Sequence, residues 1–162
     1  MIDIRGVSSE ECEMRLHQVY LGLGSNLGDR EENIRKAIAL IGDRIGLVIR
    51  QSSLVETEPW GFESENKFLN GVILVETSLT PRKLLKATQK IERELGKRRQ
   101  HATRRSQHSM LNNQRSMYFD RPIDIDILLY DDLTIDEPDL KIPHPLMYER
   151  DFVMNPLNEI KQ

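Results

Sequence analysis

The sequence predicts an α+β domain, and three observations carry that reading. Segments in which apolar and polar side chains alternate recur along the chain, as in strands with one buried face. Two segments between them carry an apolar stripe at helical spacing behind a capping residue. The resulting order, β-α-β-β-α-β, suggests a ferredoxin-like sandwich on a central, mainly antiparallel sheet.

Each element has its own justification. "VYLGLGSN" (19–26) is the first strand, with Val19, Leu21 and Leu23 on one face and Tyr20, Gly22 and Gly24 on the other. "DREENIRKAIALIGD" is a helix, with Asp29 as N-cap, Glu32 completing a capping box, and Ile34, Ala37, Ile38 and Ile41 as its apolar stripe. Residues 47–57 form a second strand, "EPWGF" a turn around Pro59 and Gly61, and residues 67–78 a third strand. The second helix has Thr80 as N-cap, Pro81 in its first turn, Gly96 just past its end, and Leu84, Thr88, Ile91 and Leu95 as its stripe. A segment without period, 97–120, precedes the last strand; a proline-bounded stretch, "KIPHPLMYERDF", and a short tail, "NPLNEI", close the chain. Residues 1–17 are polar and acidic, and are expected to be a tail without function. Residues 18–162 are expected to form a single domain, since neither a repeat nor a linker divides them.

Composition narrows the classes. With 162 residues, 38% hydrophobic and 30% charged, the chain can bury one core. A net charge of −3 gives no overall field favouring nucleic acid or membrane. A single cysteine, Cys12, excludes an internal disulfide and a cysteine-based zinc site. No run reaches the roughly 18 apolar residues of a membrane span, and the N-terminus lacks a signal peptide's apolar stretch. A cytoplasmic enzyme or binding domain is the expectation.

The segment "RPIDIDILLY" (121–130) poses the chemical question. Alternation puts Ile123, Ile125, Ile127 and Leu129 on one face and Asp124 and Asp126 on the other. Next-but-one residues in a strand stand about 6.5–7 Å apart, so the two half-buried carboxylates repel. Something positive belongs between them: arginines, or a hard cation such as Mg²⁺, which takes one or two carboxylates and fills its other positions with water and phosphate oxygens.

The segment 97–120 supplies the basic side chains. Lys97, Arg98, Arg99, Arg104, Arg105, Arg115 and Arg121 lie in it or at its edges, against one acid, Asp120. Loops this long are uncommon in compact domains unless functional or disordered. A solvated insertion accounts for Arg104, Arg105 and Arg115 as well as function does. Lys97, Arg99 and Arg121 sit where the loop meets the scaffold and are the functional candidates, because arginine grips phosphate in two-pronged fashion. RNA binding is the rival explanation of a basic loop.

Other positions are weaker. Gly22, Gly24 and Gly28 follow a strand and precede a helix, but the spacing G-x-G-x-x-x-G is wrong for a dinucleotide fold. Tight turning and close packing explain them, although "GSN" can still line a site. Gln89 and Glu92 lie one turn apart beside the helix stripe, where an exposed polar flank is the plainer reading. Asn70 stands in a strand between Leu69 and Gly71, as a structural hydrogen bonder or a ligand reader. His144, between two prolines, has no histidine at metal-ligand spacing. A nucleophile motif such as G-x-S-x-G is missing. A basic segment beside a carboxylate pair points to Mg²⁺ and polyphosphate.

In order along the chain, "GLGSNLGDR", "TEPWG", "FLNGV", "RPIDIDILLY" and "IPHPLMYERDFV" resemble the 6-hydroxymethyl-7,8-dihydropterin pyrophosphokinases of folate biosynthesis, over about residues 19–160. The resemblance implies a ferredoxin-like α/β/α sandwich and transfer of pyrophosphate from ATP to the pterin's hydroxymethyl group, with release of AMP. Asp124 and Asp126 would hold two Mg²⁺ ions. Thr57 and Trp60 would hold the pterin through backbone groups, Asn70 would read its polar edge, and Phe68 and Phe152 would sandwich its ring. Gln89, Glu92, Ile127, Leu140, Lys141, His144 and Arg150 would line the ATP site, and Lys97, Arg99 and Arg121 would act on the phosphates. The chain departs from the family pattern at Lys97, where relatives often carry Arg and Lys cannot make the same fork. It departs at Phe68, often Tyr, and at Pro145, an aromatic in some relatives. Its loop to Arg121 is also longer, so residues 100–120 inherit no role. The expected partners are these two small molecules, with neither nucleic acid nor membrane, and a monomer is expected.

Two readings from other classes compete. A Mg²⁺-dependent phosphotransferase with another acceptor would not bind a flat pteridine between Phe68 and Phe152. A noncatalytic RNA-binding module would need aromatics on its sheet face, and would retain RNA in a salt-sensitive way without ATP turnover.

Overall fold

The computed structural model describes residues 15–59, 64–96 and 120–161. Its elements in chain order are β1 (His17–Ser25), α1 (Arg30–Arg44), β2 (Gly46–Gln51), β3 (Val55–Thr57), β4 (Phe68–Thr77), α2 (Pro81–Glu94), β5 (Asp124–Tyr130), β6 (Ile135–Glu137), β7 (Leu140–Ile142), a 3-10 turn (Met147–Glu149) and α3 (Asp151–Ile160). The main sheet runs β2-β4-β1-β5, every neighbouring pair antiparallel, with β3 also pairing with β4. The predicted order β-α-β-β-α-β is therefore present, in ferredoxin-like topology.

The caps form where the sequence puts them. The Asp29 carboxylate accepts from the Glu32 N–H at 3.1 Å and the Thr80 hydroxyl from the Lys83 N–H at 3.3 Å. The reciprocal arm of the first capping box is replaced, because the Glu32 carboxylate pairs with Arg35 one turn on. Gly96 ends α2 at φ +98, a conformation that favours glycine.

Two apolar layers cover the sheet. Val19, Leu21 and Leu23 of β1, with Ile125 and Ile127 of β5, pack against Ile34, Ala37 and Ile41 of α1 and Leu84 and Ile91 of α2. On the other face Val72, Leu74 and Leu128 meet Met147 and the α3 residues Val153, Leu157 and Ile160. Helices on both faces give the α/β/α sandwich.

Four expectations need correction. The strand expected over 47–57 is two strands, broken at Ser52–Leu54. There the Ser52 hydroxyl accepts from the Val72 N–H at 2.9 Å, and Leu54 packs so close to Gly71 that a Cβ would lie 2.7 Å from its side chain. Leu129 does not share a face with Ile123, Ile125 and Ile127. Tyr20 pairs with Leu129 and Leu21 with Ile127, so Leu128 is an extra residue in β5. That bulge puts both Leu128 and Leu129 toward α3 and returns Tyr130 to the first core. The segment "NPLNEI" is no tail but most of α3, whose buried side chains Val153, Pro156, Leu157 and Ile160 follow helical spacing. The first strand also starts earlier than expected, at His17.

Candidate active site

The site grows out of strand register. Gly24 of β1 faces Asp124 of β5 on one side and Asn70 of β4 on the other; Gly22 faces Asp126 and Val72. The two carboxylates and the amide thus flank a strip of sheet that carries no side chains. A Cβ at Gly24 would lie 2.9 Å from the Asn70 Oδ1 and 3.6 Å from the Phe68 ring. The glycines are the floor of a pocket, a role beyond the close packing expected of them. Its lining includes Thr57, Phe68, Asn70, Arg121, Asp124, Asp126, Arg150 and Phe152. Eight residues singled out from the sequence therefore meet in one cavity.

The charges are arranged in pairs. The Arg121 guanidinium lies 3.2 Å from the Asp124 carboxylate, both side chains half-buried or less exposed. It also stands 5.7 Å from the centre of the Phe68 ring, and Arg150 stands 5.7 Å from that of Phe152. Each aromatic wall thus has an arginine against it. Asn70 is buried, and its Nδ2 donates to the Thr57 hydroxyl at 2.7 Å, which ties β3 to β4 at the cavity edge.

His144 is set just beside this pocket. Its backbone N–H donates to the carbonyl of Leu128, the bulged residue, at 3.0 Å. Burial pushes its imidazole below the ordinary value; nearby Arg150 adds to the effect and Asp124 opposes it. The ring is therefore neutral at pH 7. Its Nδ1 accepts from the Leu146 N–H at 3.3 Å, which leaves the proton on Nε2 as a donor.

The remaining sequence candidates are spread around the β5 edge. Glu92 is buried, at 6% exposure, and its carboxylate accepts from the Ile125 N–H at 3.3 Å. It satisfies an outward donor of the edge strand, and alternation puts the Ile127 N–H on that same edge. The Ile127 and Leu140 side chains are core residues. Gln89 is exposed on α2, and Lys141 pairs with Asp136 across the β6–β7 hairpin. Trp60, Lys97 and Arg99 lie outside the described residues. The pocket also includes Glu58, Leu128 and Val153, which the sequence reading did not single out. Each lies inside a quoted motif, Glu58 in "TEPWG", Leu128 in "RPIDIDILLY" and Val153 in "IPHPLMYERDFV".

The described residues contain no group of three or more His, Cys, Asp or Glu side chains arranged for a metal. Asp124 and Asp126 are two carboxylates beside an open glycine floor, a donor set that suits Mg²⁺, which keeps water and substrate oxygens at most positions. No helix among the described residues is long and apolar enough to cross a membrane.

Fold and pocket define a class: an α/β/α ferredoxin-like sandwich whose sheet presents carboxylates, arginines and aromatic walls to a single cavity. Residues 20–162 match the model of the family 7,8-dihydro-6-hydroxymethylpterin-pyrophosphokinase (HPPK), and the chain belongs to that family. It is 46% identical over 143 residues to the 2-amino-4-hydroxy-6-hydroxymethyldihydropteridine pyrophosphokinase of Porphyromonas gingivalis, covering 88% of this chain and 89% of that one. The protein of the same name from Bacillus subtilis is 41% identical over 144 residues, with 88% and 77% covered. In fold the chain is similar to the Plasmodium falciparum HPPK-DHPS crystallised with pterin and p-hydroxybenzoate, with TM-score 0.63 and 19% identity. The match covers 90% of this chain but only 38% of that longer one. The resemblance carried by the motifs and the fold it implied are both borne out.

Proposed function

We propose that the protein transfers pyrophosphate from ATP to 6-hydroxymethyl-7,8-dihydropterin, giving the pterin diphosphate and AMP. The observation that carries this reading is the row Asp124–Gly24–Asn70 across three strands, which brings a carboxylate and a hydrogen-bonding amide to one floor. A flat ring with polar edges suits that floor between Phe68 and Phe152, with Asn70 at its edge and Thr57 and Trp60 contributing backbone groups. The acceptor hydroxyl attacks the β-phosphorus, the bond from that phosphorus to the α,β-bridging oxygen breaks, and the hydroxyl proton passes to solvent. Asp124 and Asp126 would hold two Mg²⁺ ions, which when bound would neutralise phosphate charge and steady the attacking and leaving oxygens. Arg121, with Lys97 and Arg99, stabilises the phosphates during transfer. Gln89, Glu92, Ile127, Leu140, Lys141, His144 and Arg150 line the ATP side, where the neutral His144 offers its Nε2 proton as a hydrogen-bond donor. The enzyme is read as a cytoplasmic monomer. AMP release from ATP, measured with and without the pterin over a Mg²⁺ titration, tests the reading. AMP that depends on both supports it; ADP as the product, or AMP indifferent to pterin, contradicts it.

A further inference from the structure

Beside Arg121 and Phe68 is a hydrogen-bond knot whose members take no part in the proposed chemistry. Asn26, 3% exposed at the end of β1, holds the backbone of Arg121 on both sides. Its Oδ1 accepts from the Arg121 N–H at 2.7 Å, and its own N–H donates to the Arg121 carbonyl at 3.1 Å. Its Nδ2 donates to the Asp120 Oδ1 at 2.6 Å and to the Asn66 carbonyl at 3.2 Å. The second oxygen of Asp120 accepts from the Asn66 Nδ2 at 3.0 Å. Asp120 directly precedes Arg121, and Asn66 is two residues before Phe68, which opens β4. The same stretch is held from below by Arg30, which donates to the Lys67 carbonyl at 2.9 Å and to Glu56 at 2.7 Å.

We infer that the Asp120 carboxylate is a positioning group, bridging Asn26 and Asn66 to fix the distance between the Arg121 guanidinium and the Phe68 wall. The donor count makes the bridge specific. Two amide Nδ2 groups converge on two carboxylate oxygens, and a carboxylate is the side-chain group that accepts at both. Asn26 cannot turn its amide over to compensate, because its oxygen is already committed to the Arg121 N–H. The bridge therefore joins the chain segment that bears the arginine to the chain segment that bears the aromatic ring. This inference rests on the proposed reaction only in its kinetic readout.

The test is a donor–acceptor swap. D120N puts an amide NH₂ against one of the two NH₂ donors, and N66D puts a second carboxylate against Asp120. In D120N/N66D the amide at 120 can accept from Asn26 and donate to the carboxylate at 66, so the bridge reforms with its polarity reversed. Each single variant should lower kcat about 10- to 100-fold, the size of one or two hydrogen bonds to a charged group, with the KM for ATP changed less. The double variant should recover to within about threefold of wild type, as expected when two contacting residues are strongly coupled. Hydrogen exchange at the Arg121 amide should speed up in each single variant and slow again in the double, a readout that needs no turnover. An inactive wild type with that exchange pattern would contradict the proposed reaction and leave the bridge standing. A folded double variant no better than the worse single in exchange, or a D120N enzyme with wild-type kcat and exchange, would overturn the inference.

Discussion

Arg121 and Asp124, three residues apart, turn toward each other so that guanidinium and carboxylate meet at 3.2 Å. The sequence posed two aspartates needing a positive partner, and left arginine and metal open. The structure puts an arginine on one of them. If that arginine serves the transferring phosphates, Arg121→Ala should lower kcat by about 10²–10⁴-fold, somewhat below the upper range for arginines that stabilise phosphoryl transfer. Pterin affinity should change little, because Asn70, Thr57 and Phe152 remain. Single-turnover kinetics checks it; a loss confined to KM would assign Arg121 to uniform binding instead.

Asp124→Asn and Asp126→Asn should each nearly abolish turnover without unfolding the protein. Both side chains face the pocket and neither belongs to the apolar core, and the Arg121–Asp124 pair is the one contact shown here that the change at 124 weakens. Melting temperatures should stay within about 4 °C of wild type, the shift for roughly 1 kcal/mol in a chain of this size. Activity titrated against Mg²⁺ is the decisive measurement. A variant with wild-type turnover at low Mg²⁺ would remove the metal assignment.

Asn70→Ala should weaken the pterin and spare ATP. Losing one hydrogen-bond partner inside a closed pocket costs about 1–3 kcal/mol. Because the Asn70 amide also holds the Thr57 hydroxyl, Thr57→Val is the companion variant. Calorimetric titration showing unchanged pterin affinity in Asn70→Ala would make the amide purely structural.

His144 gives a pH prediction. Its folded pKa lies below the unfolded value of 6.5 because burial disfavours the charged ring. Between the two values the unfolded chain binds more protons, so stability falls as pH drops through 6.5 and levels off below the folded pKa. His144→Gln should flatten that part of the curve. Thermal melts at pH 7.5 and pH 5 compare the slopes; equal slopes would mean that the imidazole does not carry the effect.

The elements that could be read from sequence were those where one local rule dominates. The faces of β1, both helix stripes and both N-caps followed from period and capping chemistry, and register then brought Asp124 and Asn70 together across Gly24. What escaped required tertiary context. The bulge at Leu128 leaves no mark in "DIDILLY", since an apolar run reads the same with or without an extra residue. Helix α3 was hidden by Pro156, which local rules treat as a breaker although Val153, Leu157 and Ile160 kept helical spacing. Gln89 and Glu92 looked alike as a polar flank, and the structure separates them: Gln89 is exposed while Glu92 is buried on the edge N–H of Ile125.

The central claim is that the atom attacked is the β-phosphorus and the acceptor is the pterin. ATP labelled at the β-phosphate, reacted with 6-hydroxymethyl-7,8-dihydropterin and the purified protein in a single turnover, tests it most directly. The account predicts that the label leaves the nucleotide entirely, appears in the pterin diphosphate, and is matched mole for mole by unlabelled AMP. Label retained in ADP, with only the terminal phosphate on the acceptor, would contradict it.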